Sequence, residues 1–591
     1  MKLEKDNLNK RMSIKQIRRD FFKPVKIKDL NRTHKASESI SVISTETNND
    51  TNLSIDKHIT IDKPTILTNM KEPISEEVNH NKSIFIKIHD PFISDNLTIP
   101  LIFLFTNYNP SKLESLTENG LPVSFVEIDT SLKENKNFKC FYKTYKDAPP
   151  CISETFLNSS SEHVKSSKIA NVTWKLYNNK KMKSFISNLA THQKYSHFVT
   201  TFQLGRKDNL WKNFCKFKTK FPDDFKYMPM TYILPEDRKK FTFNKSNLDY
   251  RWIAKPVSSS RGRGISILEK NDIKRFINQS ELKTKSDYLI SKYVDKPHLI
   301  NGKKYDLRLY VLITSYSPLK IYLYRQGIVR FASEKYDPSH KENIFVHLTN
   351  YAVNKMNEKI NIGDGDENSN KLKWTLSTYE KYFIENKKEE EYKKMFDKIR
   401  DIIIKSVLTT AEDSILNCKL ITNHNNCLFE MYGYDILIDE GLNPWLLEVN
   451  VSPSLNCDSE LDFKLKSNLI GDIINTVGII PSGLLSENIT KNYKPSNDSL
   501  KKQLIAMLKG KFLKDFYNSD FKLSLKDIDK DMWEMYSKEV IAEYQVELIR
   551  SKLGSFNQIF PKDRFVLRNY LKYLKQPGDE NIMIWFWLMS K

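Results

Sequence analysis

The stretch that most constrains the fold is Cys427–Leu455, CLFEMYGYDILIDEGLNPWLLEVNVSPSL. Apolar and polar residues alternate along Tyr434–Asp439 and again along Trp445–Val451, with the reversal Glu440-Gly441-Leu442-Asn443-Pro444 between them. Two runs of period two around a turn-forming cluster predict a β-hairpin. Alternation gives each strand two faces. Asp435 shares a face with Leu437 and Asp439, and Glu448 shares one with Asn450, roughly 6.6 Å away along the strand. Two acids and an amide oxygen on adjoining strands make a hard-oxygen set suited to Mg²⁺, which fills its shell with water and phosphate oxygens. A hairpin with a solvated polar face is the plainer alternative. It loses weight because Glu448 and Asn450 interrupt an apolar run, where an unpaired carboxylate is costly.

A second informative piece is Arg251–Leu268, RWIAKPVSSSRGRGISIL. It predicts a strand at Arg251–Lys255, a flexible loop at Val257–Gly264 and a strand at Ile265–Leu268. Gly262 and Gly264 permit close backbone approach, and Lys255 and Arg261 bring charge, so the loop is suited to covering phosphates. It is not a Walker A loop, because no GxxxxGK[ST] occurs. Asp287–Pro297 predicts a strand that leaves backbone groups free at Lys292–Val294, an edge a purine can use. Lys303–Ser315 alternates strictly and puts Asp306, Arg308 and Tyr310 on one face; an exposed acid–arginine pair there would contribute little. Ile321–Ser333 reads as a hairpin turning at Gly327 and delivering Arg330 beyond the turn.

Elsewhere the patterns are coarser. Residues 1–80 are rich in Asn, Ser, Thr and Lys without a period, which predicts a disordered basic tail. Strand-like runs at 83–107 open an N-terminal α/β region reaching to about 180, with Trp174–Tyr177 a candidate strand. Residues 182–198 read as a helix, and a second follows the TFQLGRKDNLW stretch. Arg206, Lys207 and Lys212 near its start oppose the helix dipole, so contact with an anion and a solvated face are equal readings. A strand and a helix start are expected over 225–237, a loop at Glu358–Lys371, helices at Lys373–Phe383, Tyr392–Ala411 and 461–479, a connector at 480–510, and basic, aromatic helices over 515–575.

The formal charge is +21, which points to an acidic partner: nucleic acid, an anionic surface, an acidic protein or a phosphate-bearing cofactor. Six cysteines lack CxxC pairs and read as reduced, cytosolic thiols. The N-terminus has no apolar signal segment, and the longest apolar runs are too short to span a bilayer. No RNA- or zinc-finger signature supports nucleic acid.

Together, the stretches HQKYSHFVTTFQLGRKDNLW, FKYMPMTYILPED, WIAKPVSSSRGRGI, KKYDLRLYVLITSYSPLKIYLYRQGIVRFAS, HLTNYAVNK, FEMYGYDILID and NPWLLEVNVSPSL resemble the tubulin–tyrosine-ligase-like family of ATP-grasp ligases, most closely its glutamate-adding branch. The resemblance covers roughly 185–480, with an echo at 543–561. It implies an α/β (α+β) ATP-grasp core over 181–480, with nucleotide between two lobes, followed by a connector and a basic helical C-terminal extension over 481–591. It also implies Asp435, Glu448 and Asn450 as Mg²⁺ ligands, and Lys255, Arg261 and Gly262 as phosphate contacts. Ser291, Lys292, Tyr293 and Val294 become the adenine strand, although the family often has Gln or Arg at the first two. Lys304, Asp306, Thr349 and Asn350 become further nucleotide or metal-shell contacts, and Arg308 the support of the transferred phosphate. Arg330, Tyr351, Lys373 and Lys466 become the pocket for free glutamate, whose two carboxylates call for several cations, one of them a bidentate arginine.

The implied reaction is ATP-dependent polyglutamylation of tubulin's acidic C-terminal tails: a side-chain carboxylate is activated as an acyl phosphate, and the amine of free glutamate displaces phosphate. The basic surface would then hold the acceptor, with Arg206, Lys207, the 387–400 helix and the C-terminal helices as candidates. A monomer on cytoplasmic microtubules, in a cilium or at a basal body, is the expected setting. Three alternatives remain: a sister ligase for glycine or tyrosine, a ligase for a non-tubulin acceptor, and a non-catalytic microtubule-binding protein. Arg330 and Lys373 argue against glycine, and the intact Asp435, Glu448 and Asn450 set argues against a non-catalytic role.

Overall fold

The computed structural model describes residues 140–146, 148–158, 161–176, 179–259, 262–282, 287–358, 372–422, 424, 426–479, 498–515 and 528–590, and the backbone of three earlier strands. The expectations for residues 1–80, for Arg261, for most of the 358–371 loop and for 480–497 lie outside the described residues. The earlier strands, β1 (Ser83–His89), β2 (Leu97–Ile102) and β3 (Phe125–Asp129), form an antiparallel sheet in the order β2-β1-β3, as the runs at 83–107 suggest.

A short parallel sheet follows, built from β4 (Phe141–Lys143), β5 (Glu162–His163), β6 (Val172–Thr173) and β7 (Lys194–Tyr195) in the order β5-β4-β6-β7. Helices α1 (Pro150–Asn158) and α2 (Asn179–Ile186) are its crossovers. The strand expected at Trp174–Tyr177 is thus displaced to β6. The helix expected over 182–198 stops at Ile186, because the following residues pair instead: Tyr195 N–H donates to Cys427 O at 2.8 Å. Helices α3 (Thr201–Gly205) and α4 (Lys207–Lys220) come next, α4 burying Leu210, Trp211, Phe214 and Phe217.

A four-stranded antiparallel sheet holds β8 (Thr231–Leu234), β9 (Trp252–Pro256), β10 (Ser266–Leu268) and β11 (Tyr288–Lys292), ordered β10-β9-β11-β8, with α5 (Lys270–Leu282) between β10 and β11. Its core is Leu234, Phe241, Trp252, Ala254, Leu268, Ile273, Ile277 and Ile290.

The largest sheet positions the site. Its strands include β12 (Leu299–Ile300), β13 (Lys303–Tyr316) and β14 (Leu319–Phe331). Gly327 is inside β14, not at a turn; the chain reverses at Ser317-Pro318. The glycine is required for another reason: a Cβ there would lie 2.7 Å from Arg308 O, beside the register shift between Leu309 and Val311. Short helices α6 (Ile344–His347) and α7 (Tyr351–Asn354) precede β15 (Lys373–Thr375). The helix expected from Lys373 therefore starts late, as α8 (Leu376–Glu385), because Lys373 pairs in register with Arg330. Helix α9 (Glu389–Ile421) extends the helix expected at 392–411 in both directions and buries Met395, Ile399, Ile402, Ile403 and Val407.

The hairpin forms as expected, as β16 (Glu430–Ile438) and β17 (Pro444–Val451), completing the order β15-β14-β13-β16-β17. Helix α10 (Glu460–Val477) follows. Residues 498–510, expected as connector, belong to α11 (Asp498–Asp515). The C-terminal residues close the fold through α12 (Lys530–Leu553), β18 (Phe556–Phe560), α13 (Arg564–Tyr570) and α14 (Asp579–Ser590). Where the 543–561 stretch was expected to end in a turn and a proline, β18 forms and pairs with β14 from Ile321 to Tyr324. Next to it, Glu547 of α12 accepts from Lys320, from Tyr322 (2.8 Å) and from Thr314, all buried.

Both faces of β13 are covered. Leu307, Leu309, Val311 and Ile313 join one core with α9, whereas Tyr310 and Leu312 join another with Leu465, Leu469, Ile470 and Ile473 of α10. Asp306 and Arg308 alternate onto the α10 face. They are therefore set in a walled cleft, not on an exposed sheet.

Candidate active site

A cleft of about 620 Å³ opens between the four-stranded sheet, the hairpin and α10. Ten lysine and arginine side chains and six acids line it among the described residues. An adjoining cavity of about 60 Å³ shares Lys207, Lys255, Lys304 and Leu437 with it.

The hairpin puts Asp435 opposite Glu448, and Gly433 opposite Asn450. Asn450 Nδ2 is 3.3 Å from Asp435 Oδ2 and 3.3 Å from Glu448 Oε1, so the three side chains converge. Among the described residues no group of three or more His, Cys, Asp and Glu is placed to hold a metal. Two carboxylates and an amide are the donor set here, which fits Mg²⁺ with water and phosphate oxygens completing the shell. Glu448 also meets Lys207 Nζ at 3.1 Å.

Asp435 is held by two arginines. Arg308 Nη2 donates to its Oδ2 at 3.0 Å and Nη2 of Arg330 lies 2.9 Å from the same oxygen. Burial opposes ionisation of this carboxyl, but Arg308 and then Arg330 outweigh it and hold the pKa well below the usual carboxylate range. Arg330 in turn forks onto Asp306, Nε to Oδ1 at 2.8 Å. Asp306 and Arg308 thus do not pair with each other; each pairs across a strand interval.

Lys255, next to last in β9, lines the cleft, and burial draws its pKa down against the pull of Glu448. Gly262 lines the cleft with φ +76°, and a Cβ there would press to 2.8 Å on Val353 Cγ2. Lys304 Nζ donates to Tyr293 OH at 2.8 Å, and burial, then Lys255, push its pKa down to about 7. Tyr293 OH also meets His347 Nδ1 at 2.8 Å. Thr349, Asn350 and Tyr351 line the same wall at the start of α7.

The expectation of free backbone groups at Lys292–Val294 is corrected for two of them, the N–H groups of Lys292 and Tyr293. Strand β11 is internal to its sheet, and the Lys292 and Tyr293 N–H groups donate to Met230 O (2.7 Å) and Arg251 O (2.8 Å). Ser291 Oγ accepts from Thr231 Oγ1 at 2.8 Å, and Lys292 lies 3.4 Å from the centroid of the Tyr250 ring. The segment Ser291–Val294 lines the smaller cavity with Trp211, Met228 and Leu446.

On the far wall Lys373 Nζ is 2.6 Å from Asp462 Oδ2 and 3.4 Å from the centroid of the Tyr351 ring, and Lys466 Nζ is 3.2 Å from Asp462 Oδ1. Sequence reasoning missed Asp462. Its signal was present: a capping Ser459 three residues earlier and Lys466 four residues later on one helix face. It also missed the buried pair His197–Glu430, 2.9 Å apart, whose members are far apart in sequence.

Of the surface cations, Arg206 pairs with Asp208 at 2.7 Å and Lys212 with Glu236 at 2.7 Å, whereas Lys207 is turned inward to Glu448. In the 387–400 segment, helix α9 opens on Glu389-Glu390-Glu391 after Lys387-Lys388, and Lys393 and Arg400 pair with acids of their own helix.

The sequence pattern of the tubulin-tyrosine ligase family matches residues 185–485. The chain is 34% identical over 421 residues to tubulin monoglutamylase TTLL4 of Mus musculus, covering 68% of this chain and 34% of that protein. It is 37% identical over 318 residues to tubulin polyglutamylase TTLL5 of the same organism, covering 53% of this chain and 23% of that protein. Against tubulin polyglutamylase ttll-4 of Caenorhabditis elegans it is 32% identical over 409 residues, 68% of this chain and 64% of that protein. The chain thus spans about a third of the mouse monoglutamylase it matches. With the acid–amide hairpin and cation-lined cleft described above, this match over half the chain shows that it belongs to the tubulin-tyrosine ligase family.

Proposed function

We propose that this protein is an ATP-dependent ligase that joins free L-glutamate to glutamate side chains in the acidic tails of tubulin. The observation that carries this reading is the convergence of Asp435, Glu448 and Asn450 beside Arg308 and Arg330 in one cleft. Relatives named as tubulin monoglutamylase and polyglutamylase support the donor and acceptor.

In this reading the fold acts as an ATP grasp. The purine enters the small cavity beside Ser291–Val294, and the phosphates extend past Lys304, Lys255 and Gly262; Arg261, outside the described residues, is assigned to the phosphates by the family resemblance alone. Thr349 and Asn350 close that wall. Glu448, Asn450 and Asp435 would hold Mg²⁺, which would supply neutralisation of phosphate charge. Arg308 supports the phosphate as it passes to the acceptor carboxylate, giving an acyl phosphate. Arg330, Tyr351, Lys373 and Lys466 hold free glutamate by its carboxylates, leaving the amine to displace phosphate. Preorganised cations in a cleft poor in water stabilise the charge that develops. The acceptor tail is drawn by the protein's net positive charge, so its capture weakens with salt. The setting that follows is the microtubule cytoskeleton. Among the described residues no helix is long and apolar enough to cross a membrane.

The test is incubation of the purified protein with microtubules, Mg-ATP and labelled glutamate, glycine or tyrosine in parallel. Incorporation of glutamate alone is expected. Incorporation of a different amino acid reassigns the donor, and microtubule binding without any incorporation overturns the ligase reading.

A further inference from the structure

Asp462 is 1% exposed, yet it belongs to the wall of the cleft. It lies in the first turn of α10, where Ser459 Oγ caps the helix by accepting its N–H at 3.2 Å. Its carboxylate meets two ammonium groups from different elements, Lys373 of β15 at 2.6 Å and Lys466 of its own helix at 3.2 Å. Lys466 also donates to Asn456 O, and Lys373 rests against the Tyr351 ring. Both lysines are 5% exposed.

Among the buried groups, Asp462 against Lys373 and Lys466, one positive charge is left over; the exposed Asp458 on the same wall also acts on Lys373. The neighbouring group leaves none over: Arg308 and Arg330 are matched by Asp306 and Asp435. The two groups adjoin, because Arg330 and Lys373 are register partners across β14 and β15. A buried ion cluster is poor at adding stability, since desolvation offsets the attraction and apolar residues of like volume do as well. One that faces a cleft and carries a surplus charge is instead a fitted receptor for an anion.

We propose that Asp462 is a positioning residue for the amino-acid donor: it clamps the Lys373 and Lys466 ammonium groups side by side so that they receive one carboxylate of glutamate together. The proposal rests on the glutamate-ligase reading. A lysine is a point charge on a flexible four-carbon stem, and ordering two of them at each binding event would weaken affinity. The shared carboxylate orders both in advance. It also limits the surplus to one charge, matched to one carboxylate.

The test uses the full chain with Asp462→Asn, Asp462→Glu, Lys373→Met and the Asn/Met double variant, measuring KM for glutamate and for ATP. Asp462→Asn should raise the glutamate KM about tenfold or more, with the ATP KM within about twofold of wild type. Asp462→Glu, which keeps the charge and serves if the asparagine variant fails to fold, should give a smaller rise. In the double variant the effect of Asp462→Asn should be smaller than in the wild-type background, because the lysine it acts through is gone. A purely structural pin predicts otherwise: both KM values move together with the melting temperature. That result, or no change in glutamate KM in either variant, overturns the proposal.

A second arm needs no turnover. Reductive methylation with isotopic formaldehyde, read by peptide mass, should label Lys373 and Lys466 faster in Asp462→Asn than in wild type. Equal labelling overturns the clamp. Wild-type protein that incorporates no glutamate overturns the functional reading, and this labelling arm then still decides whether Asp462 orders the two lysines.

Discussion

Arg330 Nη2 lies 2.9 Å from Asp435 Oδ2, although strand β13 runs between the strands that carry them. The guanidinium spans that interval by resting on Asp306 of β13, so one arginine ties three strands. Arg330→Ala therefore does more than empty a substrate pocket. Removing one partner from a buried ion group costs about 3–5 kcal/mol. We expect a clear fall in melting temperature and, in the protein that remains folded, a larger rise in KM for glutamate than for ATP. Unchanged melting would refute the bridging role, and equal rises in both KM values would refute the assignment to the donor pocket.

Glu448→Gln keeps the shape of the side chain and removes the charge facing Asp435 and Lys207. Because Glu448 is partly exposed, its loss should leave melting almost unaltered. Glutamate incorporation should fall at least about a hundredfold, as expected when a group holding Mg²⁺ at the reacting phosphate is lost. Near-normal incorporation would remove Glu448 from the metal site.

Lys304 gives a pH signature. With its pKa pushed down to about 7 by burial and by Lys255, it loses its proton near neutrality in the free protein. A bound phosphate favours the charged form, so binding takes up a proton. Nucleotide affinity should be full below pH 7 and fall as pH rises through the free-protein value, by at most about tenfold per unit. Fluorescent-nucleotide titrations from pH 6 to 9 check this; in Lys304→Met the slope should vanish. A wild-type profile that is flat would show that Lys304 does not meet the phosphates.

The C-terminal residues should be indispensable to the fold. Glu547 of α12 is the partner of the buried Lys320 and also accepts from Tyr322 and Thr314. Burial opposes its ionisation, but Lys320 wins and lowers its pKa. Glu547→Leu leaves that ammonium uncompensated and should cost about 3–5 kcal/mol. The double change with Lys320→Met should recover most of the loss, which urea denaturation of the two variants will show. A single variant as stable as wild type would refute the coupling.

The sequence by itself determined the hairpin, because alternation and turn residues are local signals, and with it the convergence of Asp435, Glu448 and Asn450. It determined the long apolar helix α9 and the single-face placement of Asp306 and Arg308 for the same reason. Only the tertiary structure decided who pairs with whom. Gly327 looks like a turn because glycine breaks local patterns, but its cause is a strand neighbour, Arg308 O, nineteen positions away. Lys373 looks helical until Arg330 offers it a ladder. The Lys292 and Tyr293 N–H groups, expected to be free, are taken by Met230 and Arg251 because β8 and β9 flank β11, a sheet order that period alone does not encode. Asp462 went unseen for the reason that makes it interesting: its partner Lys373 arrives from a separate strand, and a buried ion cluster exists only once the walls around it have closed.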